Sequence, residues 1–528
     1  MTKHVYDMLS KVCSENKDSI FFVRQNETYA DLLRKVKQRA VTLAKKFKIK
    51  KGDVVAILSG NTPEFIKSYF AIMSQGAKVL MLDTGLSKNE HISMMKHANC
   101  RLALAQKAYF IDGDVEMFDI DTPDTTNEAD FVAADVDCSD LAQLSFTSGT
   151  TGKPKIVGLT HNNLIALGYG ALKYSPVIKP GYTFYGFLPL YHIYGVVINI
   201  VAPITLKCKL LLQTVLDPRE FLNDFKKYKP EVIPAVPRVW EGFYKKIING
   251  VKEKRRYTAM KIILGSRRFL RAIGLGSLVG KVTAPIQEIF GGNVKVLVSA
   301  GATLKPKVRK FFEKLGFVVG DCYGLTETTG PANFNFEFAR DDGSIHYAAP
   351  LPGNEIKIHN PDKHGVGEIW VRGSLVMNGY IDNPAANAES FEDGWFKTGD
   401  LGTLDSKNRL TVKGRRKQII ILDSGKNVYP DELEELYLMN DEILAAAVLE
   451  RKIRGKTVAY AVFQVKPGTT IAKAKLLLHA SNLKIAPYKW VRHFAITENE
   501  LPQTSAKKIK HHEIAAMLDR GEFPDRAE

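Results

Sequence analysis

Short apolar runs alternate with longer stretches of helical period along the first 320 residues. Residues 28–48 read as a helix with Thr28 as N-cap. Residues 52–58 read as a buried strand, 63–75 as a helix and 77–81 as a strand. Further strands are predicted near 101–105, 141–146, 183–188, 208–212, 231–235, 294–299 and 317–321, separated by helical stretches. Strand–helix alternation of this kind predicts an α/β domain built on parallel strands. In open α/β sheets, ligands bind at the carboxyl ends of the strands.

After about residue 350 the pattern changes. Short alternating runs at 355–359, 367–372 and 409–413, set off by Gly, Asp and Asn, predict antiparallel strands and a small β-rich subdomain. Beyond them the chain predicts an α+β module. Its helix at 429–439 is capped by Asn427 or Pro430, strands follow near 443–449 and 457–465, and helices near 471–482 and 511–519. The expected organisation is a large α/β domain over 1–414 with parallel or mixed sheets, a connecting segment at 415–418, and a small α+β domain over 419–528.

Composition narrows this picture. At 528 residues the chain is long enough for more than one domain. Five cysteines lie scattered without a CxxC pair, which predicts reduced thiols in a cytoplasmic protein. No positively charged start leads into an apolar stretch, so no secretory signal is expected. Residues 180–206 hold no charge, but Pro180, Pro189, His192, Asn199 and Pro203 interrupt them. They predict a buried strand, a loop at Pro189-Leu-Tyr-His192 and a buried helix, not a membrane span.

The net charge is +17. Such a balance favours anionic partners, but no zinc finger or RNA-binding signature accompanies it, so nucleic acid is not expected. The basic residues concentrate over 252–281, interleaved with Ile262, Phe269, Leu270 and Ile273. That stretch reads as a basic amphipathic helix. A solvated face and a peripheral contact with anionic lipid are the two readings of it.

Candidate chemistry centres on Leu144-Ser-Phe-Thr-Ser-Gly-Thr-Thr-Gly-Lys-Pro-Lys155. Its glycines let backbone N–H groups approach a phosphate, and its hydroxyls and ammoniums add donors. It is not a Walker A loop, because Gly149 and Gly152 stand too close and Pro154 follows Lys153. Four further motifs follow in order: Tyr323-Gly-Leu-Thr-Glu-Thr328, Trp395-Phe-Lys-Thr-Gly-Asp-Leu401, Gly414-Arg-Arg-Lys417 and Pro502-Gln-Thr-Ser-Ala-Lys-Lys-Ile509.

This ordered set resembles the adenylate-forming superfamily, which includes acyl-CoA synthetases, aryl-CoA ligases, luciferases and peptide-synthetase adenylation domains. The resemblance implies that ATP and a carboxylate form an acyl-adenylate, which a thiol such as CoA then takes. By it, Thr147, Ser148, Gly149, Thr150, Thr151 and Lys155 would wrap the β- and γ-phosphates. Thr326 would touch the α-phosphate and Glu327 would hold Mg²⁺, a hard cation suited to carboxylate oxygen. Ser299, Ala300, Gly301 and Ala302 would form the turn beside adenine, with Tyr323 stacking and Gly324 next to it. Asp400 would take the ribose hydroxyls, assisted by Arg415. Lys508 would be the catalytic lysine, although Ala506-Lys507 replaces the Ser-Gly that many members carry before it. Lys417 would be the hinge of a mobile C-terminal domain.

For the acid, His192 matches the position that gates the carboxylate, with Gly301 and Gly324 beside the substrate and Gly425 near the thiol arm. Uncharged walls at Gly195, Val196, Val197 and Ile198 suit a hydrocarbon tail. The loop Leu422-Asp-Ser-Gly-Lys-Asn-Val-Tyr-Pro430 and the segment Val236-Pro-Arg-Val-Trp240 resemble those of the long-chain fatty acyl-CoA synthetases. The leading expectation is a long- or medium-chain fatty acid–CoA ligase. An aryl-CoA ligase, or a ligase serving an acyl carrier protein in trans, stays open on the same fold.

Overall fold

The computed structural model describes residues 4–147, 154–174, 177–214, 217–253, 257–302, 304–335, 338–339, 345–346, 349–406, 408–424, 426–503, 509–523 and 526–527. The chain divides into two compact units. The first comprises Met1–Ile356, Val371–Phe396 and Ser406–Leu410; the second comprises Lys357–Trp370, Lys397–Asp405 and Thr411–Glu528.

Two mixed sheets build the first unit. One has seven strands in the order Gly379–Tyr380, Lys155–Thr160, Leu141–Thr147, Lys78–Met81, Val54–Leu58, Leu102–Ala105, Glu116–Asp119. The last five run parallel, as the strand–helix alternation predicts. Lys155–Thr160 is antiparallel to its neighbour and Gly379–Tyr380 is antiparallel to it in turn. The other sheet has nine strands. Its centre, Val318–Leu325, Val296–Ala300, Val232–Ala235 and Thr183–Gly186, is parallel, and Gly330–Asn335 folds back antiparallel on Val318–Leu325.

Local chemistry explains the helices that pack on these sheets. Thr28 accepts from the Asp31 N–H, and the Asp31 carboxylate accepts from the Thr28 N–H, closing a capping box on Tyr29–Lys46. Pro63 opens the next helix behind the cap Thr62. One apolar core joins side chains of both sheets, such as Val55 and Phe184, to these helices. Two cations inside it are fully paired. Arg39 Nε donates to Asp124 at 2.6 Å, and Lys67 lies 2.8 Å from Glu64 and 3.0 Å from Glu27. Buried charges persist only with such partners.

In the second unit, Ile443–Ile453 and Lys456–Val465 form a long hairpin, and His493–Thr497 runs parallel to its second strand. Helices Pro430–Tyr437, Ile471–Asn482 and His511–Asp519 accompany it. This is the α+β module expected from the sequence. Of the two residues expected to start the first of these helices, Pro430 does so and Asn427 does not. Its N-cap is Tyr429 with Pro430 as first helical residue, while Asn427 lies in the short strand Asn427–Val428.

The uncharged stretch after Lys179 folds as predicted, with one refinement. The strand Thr183–Gly186 is followed by a loop and a buried helix that widens to π-helical winding over Val197–Val201. Among the described residues no helix is long and apolar enough to cross a membrane. The basic stretch over 252–281 departs from the single helix expected. It forms the end of Pro237–Glu253, then Tyr257–Gly265, Arg267–Ala272 and the start of Gly276–Ile289. Gly274, at φ +81°, turns the chain between the last two.

Candidate active site

Strand ends gather most of the predicted residues of the first unit. Thr147 closes Leu141–Thr147 and pairs with Lys155, which opens the next strand. Thr147 and Lys155 thus face each other across two antiparallel strands. Ser148, Gly149, Thr150 and Thr151 lie outside the described residues. Strand Gly379–Tyr380 pairs with the second of these strands, Tyr380 opposite Val157.

Tyr380 links these strands to the second motif. Lys155 Nζ stands 4.6 Å from the centroid of its ring. Its hydroxyl donates to Glu327 Oε1 at 3.0 Å. A cation over an aromatic face is attracted to it, so one side chain holds both a positive and a negative candidate. Asn387 fixes Tyr380 in turn, accepting from its N–H at 2.7 Å and donating to its carbonyl at 2.9 Å.

Glu327 and Thr326 sit on a short 3₁₀ turn, Thr326–Thr328, at the end of Val318–Leu325. Thr328 Oγ1 accepts from the Leu325 N–H and donates to the Gly330 carbonyl, both at 2.8 Å. The Met377 N–H donates to the Glu327 carbonyl at 2.9 Å. The turn is tight enough to require glycine. A Cβ on Gly324 would lie 1.7 Å from the Gly330 carbonyl oxygen.

Register places the adenine-side residues next to this motif. Ser299 pairs with Asp321 and Ala300 with Cys322, one step before Tyr323. Of the four predicted turn residues, Ser299 and Ala300 are buried within the strand, and Gly301 and Ala302 are exposed. Only the latter pair offers surface to a flat base. A Cβ on Gly301 would meet nothing closer than 3.8 Å.

The ribose motif and the connecting segment belong to the second unit. Asp400, 5% exposed, has Oδ1 3.2 Å from Arg415 Nε. Thr398 Oγ1 accepts from the Asp400 N–H at 3.0 Å and donates to the Ile369 carbonyl at 2.7 Å. Arg416 is drawn to Glu368 instead, at 3.1 Å. Lys417 is exposed on the 3₁₀ turn Arg416–Gln418. Gly425 and Lys508 lie outside the described residues.

His192 is the N-cap of its helix, and its Nε2 lies 3.9 Å from Asp83 Oδ2. Two buried asparagines shape its loop. Asn61 and Asn199 both donate to the Leu188 carbonyl, at 3.0 and 2.8 Å, and Asn61 accepts from the Leu190 N–H at 3.0 Å. Gly195 is backed against the loop, where a Cβ would lie 1.9 Å from the Pro189 oxygen. Val197 and Ile198 line an apolar cavity of about 20 Å³ with Leu167, Ala171, Val298 and Phe334; Gly195 and Val196 do not. That volume is about one water molecule.

Four participants escaped the sequence reading: Tyr380, Asp83, Asp321 and Asn61. Asp83 follows Lys78–Met81 at the carboxyl end of a parallel strand, the place where a ligand rule for α/β sheets directs attention. Asp321 is an acid inside an apolar run, itself a signal of function or strain. Burial pushes its carboxyl up to about 7, against the pull of Arg309. Nothing in the local sequence marks Tyr380 or Asn61, whose partners are remote.

The donor set fits magnesium triphosphate chemistry. No group of three His, Cys, Asp or Glu gathers among the described residues. Magnesium commonly takes one or two carboxylates and completes its shell with phosphate oxygens and water, so a single carboxylate such as Glu327 would suffice as its protein ligand.

Residues 9–381 match the family model described as AMP-binding enzyme. The chain is 33% identical over 324 residues to the long-chain-fatty-acid–CoA ligase FadD15 of Mycobacterium bovis, covering 59% of this chain and 52% of that one. It therefore spans about half the length of such curated relatives. It is 29% identical to 4-coumarate–CoA ligase-like 9 of Arabidopsis thaliana, across 94% of this chain and 86% of that one. In fold it resembles the o-succinylbenzoate CoA synthetase MenE of Bacillus subtilis, solved with an acyl-adenylate, at a TM-score of 0.76 and 24% identity over 97% and 98% of the two chains. The family match spans more than two thirds of the sequence, and the chain belongs to the AMP-binding, adenylate-forming enzymes.

Proposed function

We propose that this protein joins a carboxylic acid to CoA through an acyl-adenylate. A carboxylate oxygen attacks the α-phosphorus of ATP, and the bond to the β-phosphate breaks, releasing pyrophosphate. The thiol of CoA then attacks the acyl carbon, loses its proton, and AMP departs. The first step gathers negative charge around phosphorus, so cations and donors matter more than a covalent nucleophile. A magnesium ion would neutralise phosphate charge there.

The observation that carries this reading is the Lys155–Tyr380–Glu327 arrangement. Lys155 supplies positive charge at the end of the signature motif. Tyr380 holds the Glu327 carboxylate, which keeps its other oxygen for the cation. Thr147, Ser148, Gly149, Thr150 and Thr151 provide phosphate donors, Thr326 the α-phosphate contact, and Asp400 with Arg415 the ribose contact. Lys508 stabilises the charge of the first step, and the segment 415–418 with Lys417 lets the domain over 419–528 withdraw it for the second. The predicted setting is the cytoplasm.

We take the acid to be a long- or medium-chain fatty acid, gated by His192. The relatives named as long-chain fatty-acid ligases, the apolar wall at Val197 and Ile198, and the loop before Pro430 support this. An aryl acid is the second reading. The coumarate-type relative aligns across nearly the whole chain, and a 20 Å³ cavity admits a long tail only if its lining side chains move. Thioester yield with CoA across palmitate, octanoate and coumarate separates the two. Preference for coumarate would remove the fatty-acid assignment and leave the adenylation chemistry standing. Thioester formation only with an acyl carrier protein would move the acceptor.

A further inference from the structure

Between Glu253 and Glu288 the chain carries eight lysines and arginines and no acidic residue. The same stretch exposes Ile262 (62%), Phe269 (64%), Ile273, Leu275 and Leu278 to solvent. These are five of the sixteen exposed large hydrophobics among the described residues, within seventeen consecutive positions of a 528-residue chain. Random scatter of surface apolar residues needs no account; a cluster inside the most basic segment does.

Two helices of this stretch, Tyr257–Gly265 and Gly276–Ile289, bury one side and show the other. Met260 and Leu264 of Tyr257–Gly265 pack into the core, as does Ile286 of Gly276–Ile289, where Val279 is also buried. Ile262, Phe269, Ile273 and Leu278 face outward, accompanied by exposed Lys261 and Lys281. Gly274 breaks the run so that Ile273 and Leu275 occupy an exposed turn.

We propose that this face docks on an anionic lipid bilayer, with the apolar side chains entering the interface and the cations meeting headgroup phosphates. The mixture selects lipid over nucleic acid. A polyanion such as RNA would satisfy the ammonium and guanidinium groups but leave isoleucine and leucine side chains wet, whereas a bilayer interface takes both. Each basic residue near an anionic surface adds attraction, and each buried methylene adds to it. Helix Pro237–Glu253 connects the face to the nucleotide-binding strand. Trp240 Nε1 in its first turn donates to the Val298 carbonyl at 3.3 Å, and its other end leads into the basic stretch about 25 Å away. The inference stands whatever acid the enzyme uses.

Flotation of the full chain with vesicles tests it. One set is phosphatidylcholine alone, the other phosphatidylcholine and phosphatidylglycerol in equal parts. The wild type floats with the anionic set, less at high salt. F269S/I273S and K261E/K281E each lower partitioning by about tenfold or more. Both variants melt at the wild-type temperature, because the four side chains are exposed. Hydrogen exchange gives a readout without substitutions, with amides over 257–289 slowing when anionic vesicles are added. Absence of flotation, or flotation unchanged in F269S/I273S, overturns the proposal. Binding to single-stranded RNA that is lost in K261E/K281E but kept in F269S/I273S, without flotation, would assign the face to nucleic acid instead.

Discussion

Tyr380 does two jobs through two parts of one side chain. Its ring meets Lys155 and its hydroxyl meets Glu327. Tyr380→Phe keeps the ring and deletes the donor. Hydrogen bonds to charged groups contribute about 1.5–3 kcal/mol, so pyrophosphate release should fall by about ten- to a hundredfold and require more Mg²⁺ for half-maximal rate. Glu327→Ala should cost about 10² or more in rate by removing the carboxylate itself. Equal rates for Tyr380→Phe and wild type at every Mg²⁺ concentration would detach Tyr380 from the site. Asp321 gives a second prediction. Its side chain keeps partial contact with solvent, yet burial raises its carboxyl to about 7, above an ordinary value of 3.8. Between those values the folded protein holds a proton that the unfolded chain has released. Stability therefore declines as pH rises from about 4 to 7, by about 1.4 kcal/mol per unit at most, and levels off above. Asp321→Asn removes this slope. Urea midpoints at pH 5 and pH 8 measure it, and wild type and variant changing in parallel would contradict it.

At the scale of elements, the turn from Leu325 to Gly330 is the most constrained piece of the site. Gly324→Ala would drive a methyl into the Gly330 carbonyl, a backbone contact that no rotamer relieves. We expect a loss of at least about 3 kcal/mol, read as a lower urea midpoint, with pyrophosphate release lost in parallel. A folded variant of wild-type stability would mean the turn moves freely. Helix and strand positions in the two units were largely legible before the structure, because caps such as Thr28 and buried runs such as Val54–Leu58 are local signals. The strand Lys155–Thr160 was not. It begins inside the signature motif, and its pairing depends on the strand Leu141–Thr147 just before the loop and on a two-residue strand more than two hundred residues on. The basic helix was misread as one element because charge and apolar spacing run on across Gly274, while the backbone turns there. Asp400 and Arg415 each lie in a motif visible in the sequence, and the structure adds the contact between them, whereas Asp83 comes beside His192 from more than a hundred residues away and has no sequence neighbour to announce it.

The whole molecule combines a net charge of +17 with a two-unit body, and the substrates proposed for it are anionic throughout. Positive charge of this size would raise the encounter rate with the proposed substrates ATP and CoA and make it salt-sensitive. The proposed division of labour assigns Lys508 to the first half-reaction alone. Lys508→Ala should lower adenylation by about 10²–10³ and leave thioester formation from preformed acyl-adenylate near the wild-type rate. Equal loss in both halves would point to a structural role for that lysine.

Pyrophosphate release with ATP and Mg²⁺, measured across straight-chain and aromatic acids with and without CoA, tests the central claim most directly. Acid-dependent release that CoA turns from a single equivalent into continuous turnover is the predicted result, with the best acid defining the substrate. Release that no acid stimulates, under conditions where the protein is folded and ATP is bound, would contradict it.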